Sequence, residues 1–219
     1  MIKQAPDTAN QELNQEHISL AQDYRRNFYS YFGGLKHFKN KNVLEIGCGY
    51  GGDSALIAEV AKKVVGTDLN KDQRWEIWQK TNMIFAKENA QSLSFASQSF
   101  DVVCARDVLH HVDYPSLAIK EMGRVVKKGG KIIIIEANRY NPIFYLHLTC
   151  LLGHDHFTQN KFMELVRNNF DQVEFFFVES HFLPIRNKIF RWWWNSVWSL
   201  ANLFLPSFLK SYNVAVATR

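Results

Sequence analysis

The sequence predicts an α/β fold: a doubly wound sheet of about seven strands, mostly parallel, with an antiparallel C-terminal strand and helices on both faces. Three observations predict it. Short apolar runs alternate with helical patterns from residue 43 to residue 136. Several of those runs, such as VVG and IIII, are apolar throughout, as in strands covered on both sides. The last two strand-like runs have no regular crossover helix between them, so they are expected to pair as an antiparallel hairpin at the sheet edge.

The elements follow in order. The stretch to about residue 16 is polar and is expected to be flexible; a single domain covers 17–219. Ile18, Leu20, Tyr24, Phe28 and Phe32 recur at helical spacing over 17–32, closed by Gly33 and Gly34. The run VLEI gives a strand at 43–46, followed by a glycine loop and a helix near 53–61. A strand at 63–67 leads to a helix near 71–80. A strand at 83–86 precedes a polar loop. A strand at 100–105 precedes a helix near 115–125. The KKGG of 127–130 makes a turn into the strand at 131–136. Thr158 caps a helix near 158–169. Strands at 172–179 and 212–218 bracket an aromatic insertion at about 181–210.

Composition bounds the class. The 219 residues suffice for one domain with a sizeable core. With 47% hydrophobic and 14% aromatic residues, disorder is excluded. The net charge of +5 suits an anionic partner without selecting one. Cys48, Cys104 and Cys150 lie far apart, which predicts reduced thiols and a cytoplasmic protein. No apolar leader core and no run of about 18 apolar residues is present, so neither a signal peptide nor a membrane span is expected.

The decisive segment is VLEIGCGYGGDS, residues 43–54. Gly47, Gly49, Gly51 and Gly52 stand between a strand and a helix. There glycines allow positive φ and close approach of a ligand, and the helix start offers unpaired N–H groups. Gly47, Gly49 and Gly52 also match the GxGxxG dinucleotide fingerprint, and Asp68 ends the second strand, where a carboxylate can accept hydrogen bonds from both ribose hydroxyls. Glu45 stands two residues before the first glycine, where NAD fingerprints usually carry apolar residues.

The whole string resembles motif I of class I S-adenosylmethionine-dependent methyltransferases. SFDVVCARDVLHHV (99–112) resembles their fourth strand and loop, EMGRVVKKGGKIIIIE (121–136) their following helix, turn and strand, and NAQSLSF (89–95) their adenine stretch. Residues 40–136 carry the resemblance, nearest the small-molecule branch with quinone- and lipid-type acceptors. It implies a Rossmann-like fold, S-adenosylmethionine as cofactor and a small-molecule acceptor, with no nucleic acid. It also implies roles. Gly47, Cys48 and Gly49 pass beneath the methionine part, with Arg106 nearby and Glu45 bonded to loop amides or, through water, to the amino group. Asp68 holds the ribose and Leu69 packs on the adenine. Asn89, where the family commonly has aspartate, offers a carbonyl to the adenine amino group, and Ala90 offers a backbone N–H. A dinucleotide oxidoreductase and a non-catalytic cofactor-binding or interaction module remain as alternatives.

Acceptor-side candidates come from the carboxyl ends of the strands. They are His110 and His111 after strand four, Glu136, Asn138 and Tyr140 after strand five, and His154 and His156 beyond. His111, Glu136 and Tyr140 are taken as the catalytic set, although an LHHV pair also serves architecture. Two histidines without further ligands at helical spacing do not predict a metal. No [DNS]-P-P-[YFW] tetrad and no proline before Cys104 point to nucleic-acid bases.

The aromatic insertion holds Trp192, Trp193, Trp194 and Trp198. Over a helix from about 187 to 204, Lys188, Arg191, Asn195, Ser199 and Asn202 form one polar stripe and the remainder is apolar. The surplus apolar surface is expected to cover something: a hydrophobic acceptor, a homodimer partner, a peripheral membrane surface, or the body of the domain itself through 141–153.

Overall fold

The computed structural model describes residues 15–78, 80–151, 153, 155–182 and 187–219. Residues 1–14 of the stretch expected to be flexible, and His154, lie outside them. The first half contains α1 (Gln15–Ser30), α2 (Gly34–Phe38), β1 (Asn42–Ile46), α3 (Gly52–Ile57), β2 (Lys63–Asp68), β3 (Met83–Lys87) and β4 (Phe100–Arg106). The second contains α4 (Pro115–Val125), β5 (Val126–Ala137), α5 (Pro142–Phe144), α6 (Gln159–Arg167), β6 (Gln172–Val178), α7 (Lys188–Phe204) and β7 (Tyr212–Thr218).

The strands form one sheet in the order β3-β2-β1-β4-β5-β7-β6. The first five are parallel; β7 runs antiparallel to both β5 and β6. The two late strands do pair as expected, with β6 at the edge. Strand parity sorts the core into two layers. Val43, Val102, Ile133 and Val214 face Phe28, Tyr29, Phe38 and Leu56 from α1–α3. Leu44, Val103, Ile132 and Ala215 face Ile119, Met122, Phe162 and Val166 from α4 and α6. Each of the valine, leucine, isoleucine, phenylalanine and methionine side chains among these contributes about 1.5–3 kcal/mol when buried.

Three elements differ from expectation. The helix expected at 71–80 is a single 3-10 turn, Gln73–Ile77, capped by Asp72. Its indoles are drawn onto the glycine loop: Trp75 Nε1 donates to the Gly49 carbonyl and Trp78 Nε1 to that of Tyr50, both at 2.7 Å. The turn expected at 127–130 is a bulge within β5. Phe100 pairs with Val126 and Val102 with Lys131, so four residues stand opposite Asp101 alone. Within the stretch 141–153, expected to be available to cover the aromatic helix, Pro142–Phe144 forms α5 and Tyr145–Leu151 a π-helical turn, rather than one regular helix.

Helix α7 forms where its periodicity places it, with the Asn187 side chain accepting from the Ile189 and Phe190 amides, both at 3.0 Å. Among the described residues, no helix is long and apolar enough to cross a membrane.

Candidate active site

The order of strands reverses between β1 and β4, and ligands of open α/β sheets bind outside the carboxyl ends at that point. A cavity of about 400 Å³ opens there, within the range of small-molecule sites. A wider depression of about 610 Å³ lies at the opposite, amino ends of the strands, near Arg124 and Gln172, away from the glycine loop.

The loop after β1 builds the floor. Gly47 has φ +68°, and a Cβ there would lie 2.2 Å from Val108 Cγ2; only glycine fits beneath the β4 loop. Gly49 has φ +51°, and a Cβ there would meet nothing within 4 Å, because it would point into the opening. Asp68 Oδ2 accepts from the Gly49 amide at 2.9 Å and so ties the second strand to the loop.

Six of the nine expected cofactor residues line this cavity: Gly47, Gly49, Asp68, Leu69, Asn89 and Ala90. The Asn89 carbonyl oxygen accepts from the Gln91 amide at 2.9 Å. Glu45, Cys48 and Arg106 are not in the lining. Glu45 and Arg106 share the parity of the other sheet face and meet a buried polar group beneath the loop, with the Ser54 hydroxyl donating to Glu45.

That group was not legible in the sequence. Asp53 at the start of α3 pairs with Arg25 of α1 at 3.1 Å and Arg106 of β4 at 3.7 Å. Arg106 also sits over the rings of Phe28 (4.4 Å) and Tyr212 (5.1 Å). Burial would lower its affinity for a proton, but Asp53 foremost holds it charged. Burial, then the charge of Asp53, pushes Glu45 up to about 8, against the Ser54 hydrogen bond and the two arginines. The raised value favours the protonated carboxyl near neutral pH, with the Ser54 hydroxyl tying it to the start of α3. Burial also pushes the Cys48 thiol upward, which makes it a packing residue.

On the acceptor side, His111 lines the cavity, with Asp107 and Val108 beside it. Glu136 is fully buried and points at the loop instead. Its Oε1 accepts from the amides of Val108 and Leu109, at 3.0 and 2.6 Å, and its Oε2 lies 2.7 Å from His110 Nδ1. Burial alone would lower the His110 pKa; the Glu136 hydrogen bond and charge outweigh it, and the pKa is raised. Asp107 has φ +54° and is pushed up to about 6 by burial first and by Glu136, against Arg106. The His110 ring lies tilted against those of His111 and His156, with centroids 3.9 and 4.1 Å away. Among the described residues, His110, Glu136 and His156 are the group whose donor atoms, all within 4.8 Å of one another, could hold a metal ion. Tyr140 is half-exposed and outside the cavity lining. Asn138 is buried and donates to the carbonyls of Phe208 and Lys210, both at 2.8 Å, tying the end of β5 to the entry of β7.

Comparison with known proteins follows the same region of the chain. Residues 44–134 match the family model described as a methyltransferase domain. The ubiquinone biosynthesis O-methyltransferase of Coxiella burnetii is 29% identical over 106 residues, covering 46% of this chain and 45% of that protein. The 2-methyl-6-phytyl-1,4-hydroquinone methyltransferase of a Synechocystis species is 33% identical over 102 residues, covering 44% and 32%. The matches thus span less than half the length of these relatives. Among solved structures, an S-adenosylmethionine-dependent methyltransferase from Mesorhizobium loti superposes with a TM-score of 0.65 at 15% identity, covering 90% of this chain and 100% of that one. One from Archaeoglobus fulgidus gives 0.63 at 18%, covering 92% and 94%. At such identities these two establish the fold.

Proposed function

We propose that this chain, whose residues 44–134 match a methyltransferase-domain family model, is a class I S-adenosylmethionine-dependent methyltransferase that transfers a methyl group to a small hydrophobic or amphipathic acceptor by in-line displacement. The observation that carries this reading is the cavity at the strand-order reversal, floored by Gly47 and Gly49 and walled by Asp68. A dinucleotide oxidoreductase is not favoured, since the family match is to a methyltransferase domain.

The residues present fit the cofactor. The opening above Gly49 admits a ligand where a Cβ would otherwise project. When bound, S-adenosylmethionine supplies a methyl group on a sulfonium, which is itself the driving force for transfer. The chain's part is binding and orientation. Asp68 accepts from the ribose hydroxyls, Leu69 packs on the adenine, and Asn89 and Ala90 offer a carbonyl and an amide to its edge. Glu45 and Cys48 support the loop from beneath. Arg25 and Arg106, paired with Asp53 and, for Arg106, also Asp107, hold a charged cluster beneath the loop on the side of the methionine end.

His111, at the rim, is the candidate base for a hydroxyl acceptor. Glu136 is a positioning residue: it acts through His110 and the loop amides. Tyr140, exposed beyond β5, is a candidate contact for the acceptor's outer part. The acceptor's apolar character is read from the segment 181–210, whose surplus apolar face meets a membrane surface or a second copy of the chain.

Calorimetry with S-adenosylmethionine, its demethylated product and NADH tests the cofactor. Binding of the first two is expected; binding of NADH alone overturns the reading. Asp68→Ala is expected to weaken cofactor binding by about 1–3 kcal/mol through lost charge-assisted hydrogen bonds. An unchanged dissociation constant removes Asp68 from the site. Methyl release over a panel of hydroquinones, lipids and tRNA then identifies the acceptor class; transfer to tRNA alone overturns the small-molecule acceptor.

A further inference from the structure

The outer surface of α7 is inverted relative to an ordinary surface helix. Its docked face carries Trp194, Trp198 and Asn202: Trp194 Nε1 donates to the His181 carbonyl at 3.2 Å, the Trp198 ring lies 4.4 Å from that of His181, and Asn202 exchanges hydrogen bonds with the Glu179 backbone. The polar stripe runs along one border of that face and is partly spent on the body. Ser199 bonds Tyr31 at 3.0 Å, and Arg191 lies 3.9 Å from Asp23. What remains outward is apolar. Ile189 is 80% exposed, Trp192 71%, Leu203 76% and Phe204 78%, with Trp193 and Leu200 between them. These positions, spaced 3, 1, 7, 3 and 1 apart, share one side of the helix. Soluble monomers rarely leave so large a contiguous apolar patch in water.

A second element with exposed apolar residues lies against the docked side of α7. Phe144 of α5 packs edge-on against His181, 5.2 Å between ring centroids, so α5 and α7 meet on one residue. The segment around α5 presents Ile143, Leu146 and Leu151 outward. It leaves the carboxyl end of β5, the edge at which an acceptor must enter.

Charge selects the occupant. Residues 181–210 contain Arg186, Lys188, Arg191 and Lys210 and no aspartate or glutamate. Across a two-fold axis the same patch meets itself, which sets cation against cation. An anionic bilayer meets both features at once, with tryptophans at the headgroup level and lysine and arginine beside phosphate. We propose that α7 and the segment after α5 seat the protein on an anionic lipid surface, with α7 lying in the interfacial plane. This deepens the apolar contact proposed above and, in its test, is independent of the transfer chemistry. A lipid-soluble acceptor would then reach the mouth of the site without leaving the bilayer.

Vesicle flotation of the full chain tests this, with phosphatidylcholine alone and phosphatidylcholine mixed with phosphatidylglycerol. Flotation with the mixed vesicles is expected, weakened by salt and much weaker on neutral ones, with a blue shift of tryptophan emission. The triple variant Trp192→Ser, Leu203→Ser, Phe204→Ser alters exposed side chains only. It should lose flotation while keeping the wild-type melting temperature and its affinity for S-adenosylmethionine. Lys188→Gln should lower affinity for the mixed vesicles by about fivefold, the effect of one cation near such a surface. Absence of flotation, equal flotation on both vesicle types, or a solution dimer that the triple variant abolishes each overturn the proposal. The methyltransferase reading stands or falls separately, on the calorimetry.

Discussion

His110 Nδ1 lies 2.7 Å from Glu136 Oε2, and the other oxygen of the same carboxylate takes the amides of Val108 and Leu109. One buried carboxyl group therefore fixes both the path of the loop after β4 and the orientation of an imidazole beside the cavity. His110 in turn packs against His111 in a tilted ring contact, so Glu136 reaches the rim residue through two contacts.

Glu136→Gln tests that chain of support. The glutamine oxygen can still accept from the loop amides, but the charge facing His110 is gone. Stability is expected to fall by about 1–3 kcal/mol in chemical denaturation. The His110 imidazole titration, followed by NMR, should move down; an unmoved titration removes Glu136 from this role. The sign follows from the raised His110 value. The stabilisation of the protonated pair is complete below the ordinary histidine range and is lost as pH rises through the raised folded-state value.

Glu45 gives a second pH dependence. Its carboxyl is pushed up from 4.5 to about 8 in the folded chain, by burial first and then by Asp53. Between those values the folded state keeps a proton that the unfolded state has released. Stability therefore falls as pH rises across that window, with a slope of at most about 1.4 kcal/mol per pH unit for one proton. Glu45→Gln preserves a neutral hydrogen-bonding group next to Ser54 and should flatten that slope. Denaturation curves from pH 5 to pH 8 compare the two; parallel slopes would show that Glu45 ionises normally.

Two loop glycines should fail in different ways. Gly47→Ala drives a methyl group into Val108 and holds an L-residue at φ +68°, so the expected loss is about 1–3 kcal/mol of stability. Gly49→Ala meets no protein atom and carries the left-handed backbone penalty of about 1–2 kcal/mol. Its methyl group projects into the cavity, so cofactor affinity should fall well beyond what its melting temperature explains. Equal affinity loss per degree of melting in both variants would mean that neither glycine is there for the ligand.

Much of the fold was readable because it rests on local pattern. Continuous apolar runs identified the parallel strands, the glycine loop followed β1, and Asp68 ended β2; six of the nine expected cofactor residues share one cavity. Where side chains leave the local pattern, reading stopped. The helix expected at 71–80 gave way to a turn because Trp75 and Trp78 donate to carbonyls more than twenty residues back. His110 and His111 are adjacent and chemically identical, and only the position of Glu136 decides which one is buried.

The sequence by itself determined the alternation of strands and helices, the glycine-floored crevice at the tips of β1 and β2, and an amphipathic aromatic helix near the end. Those follow from spacing along the chain, which backbone geometry converts directly into faces and turns. Only the tertiary structure decided that Arg25, Asp53 and Arg106 meet beneath the loop, and that α7 docks through Trp194, Trp198 and Asn202 while Trp192 and Phe204 face outward. Periodicity marks the faces of a helix; which face is covered depends on what the rest of the chain brings against it.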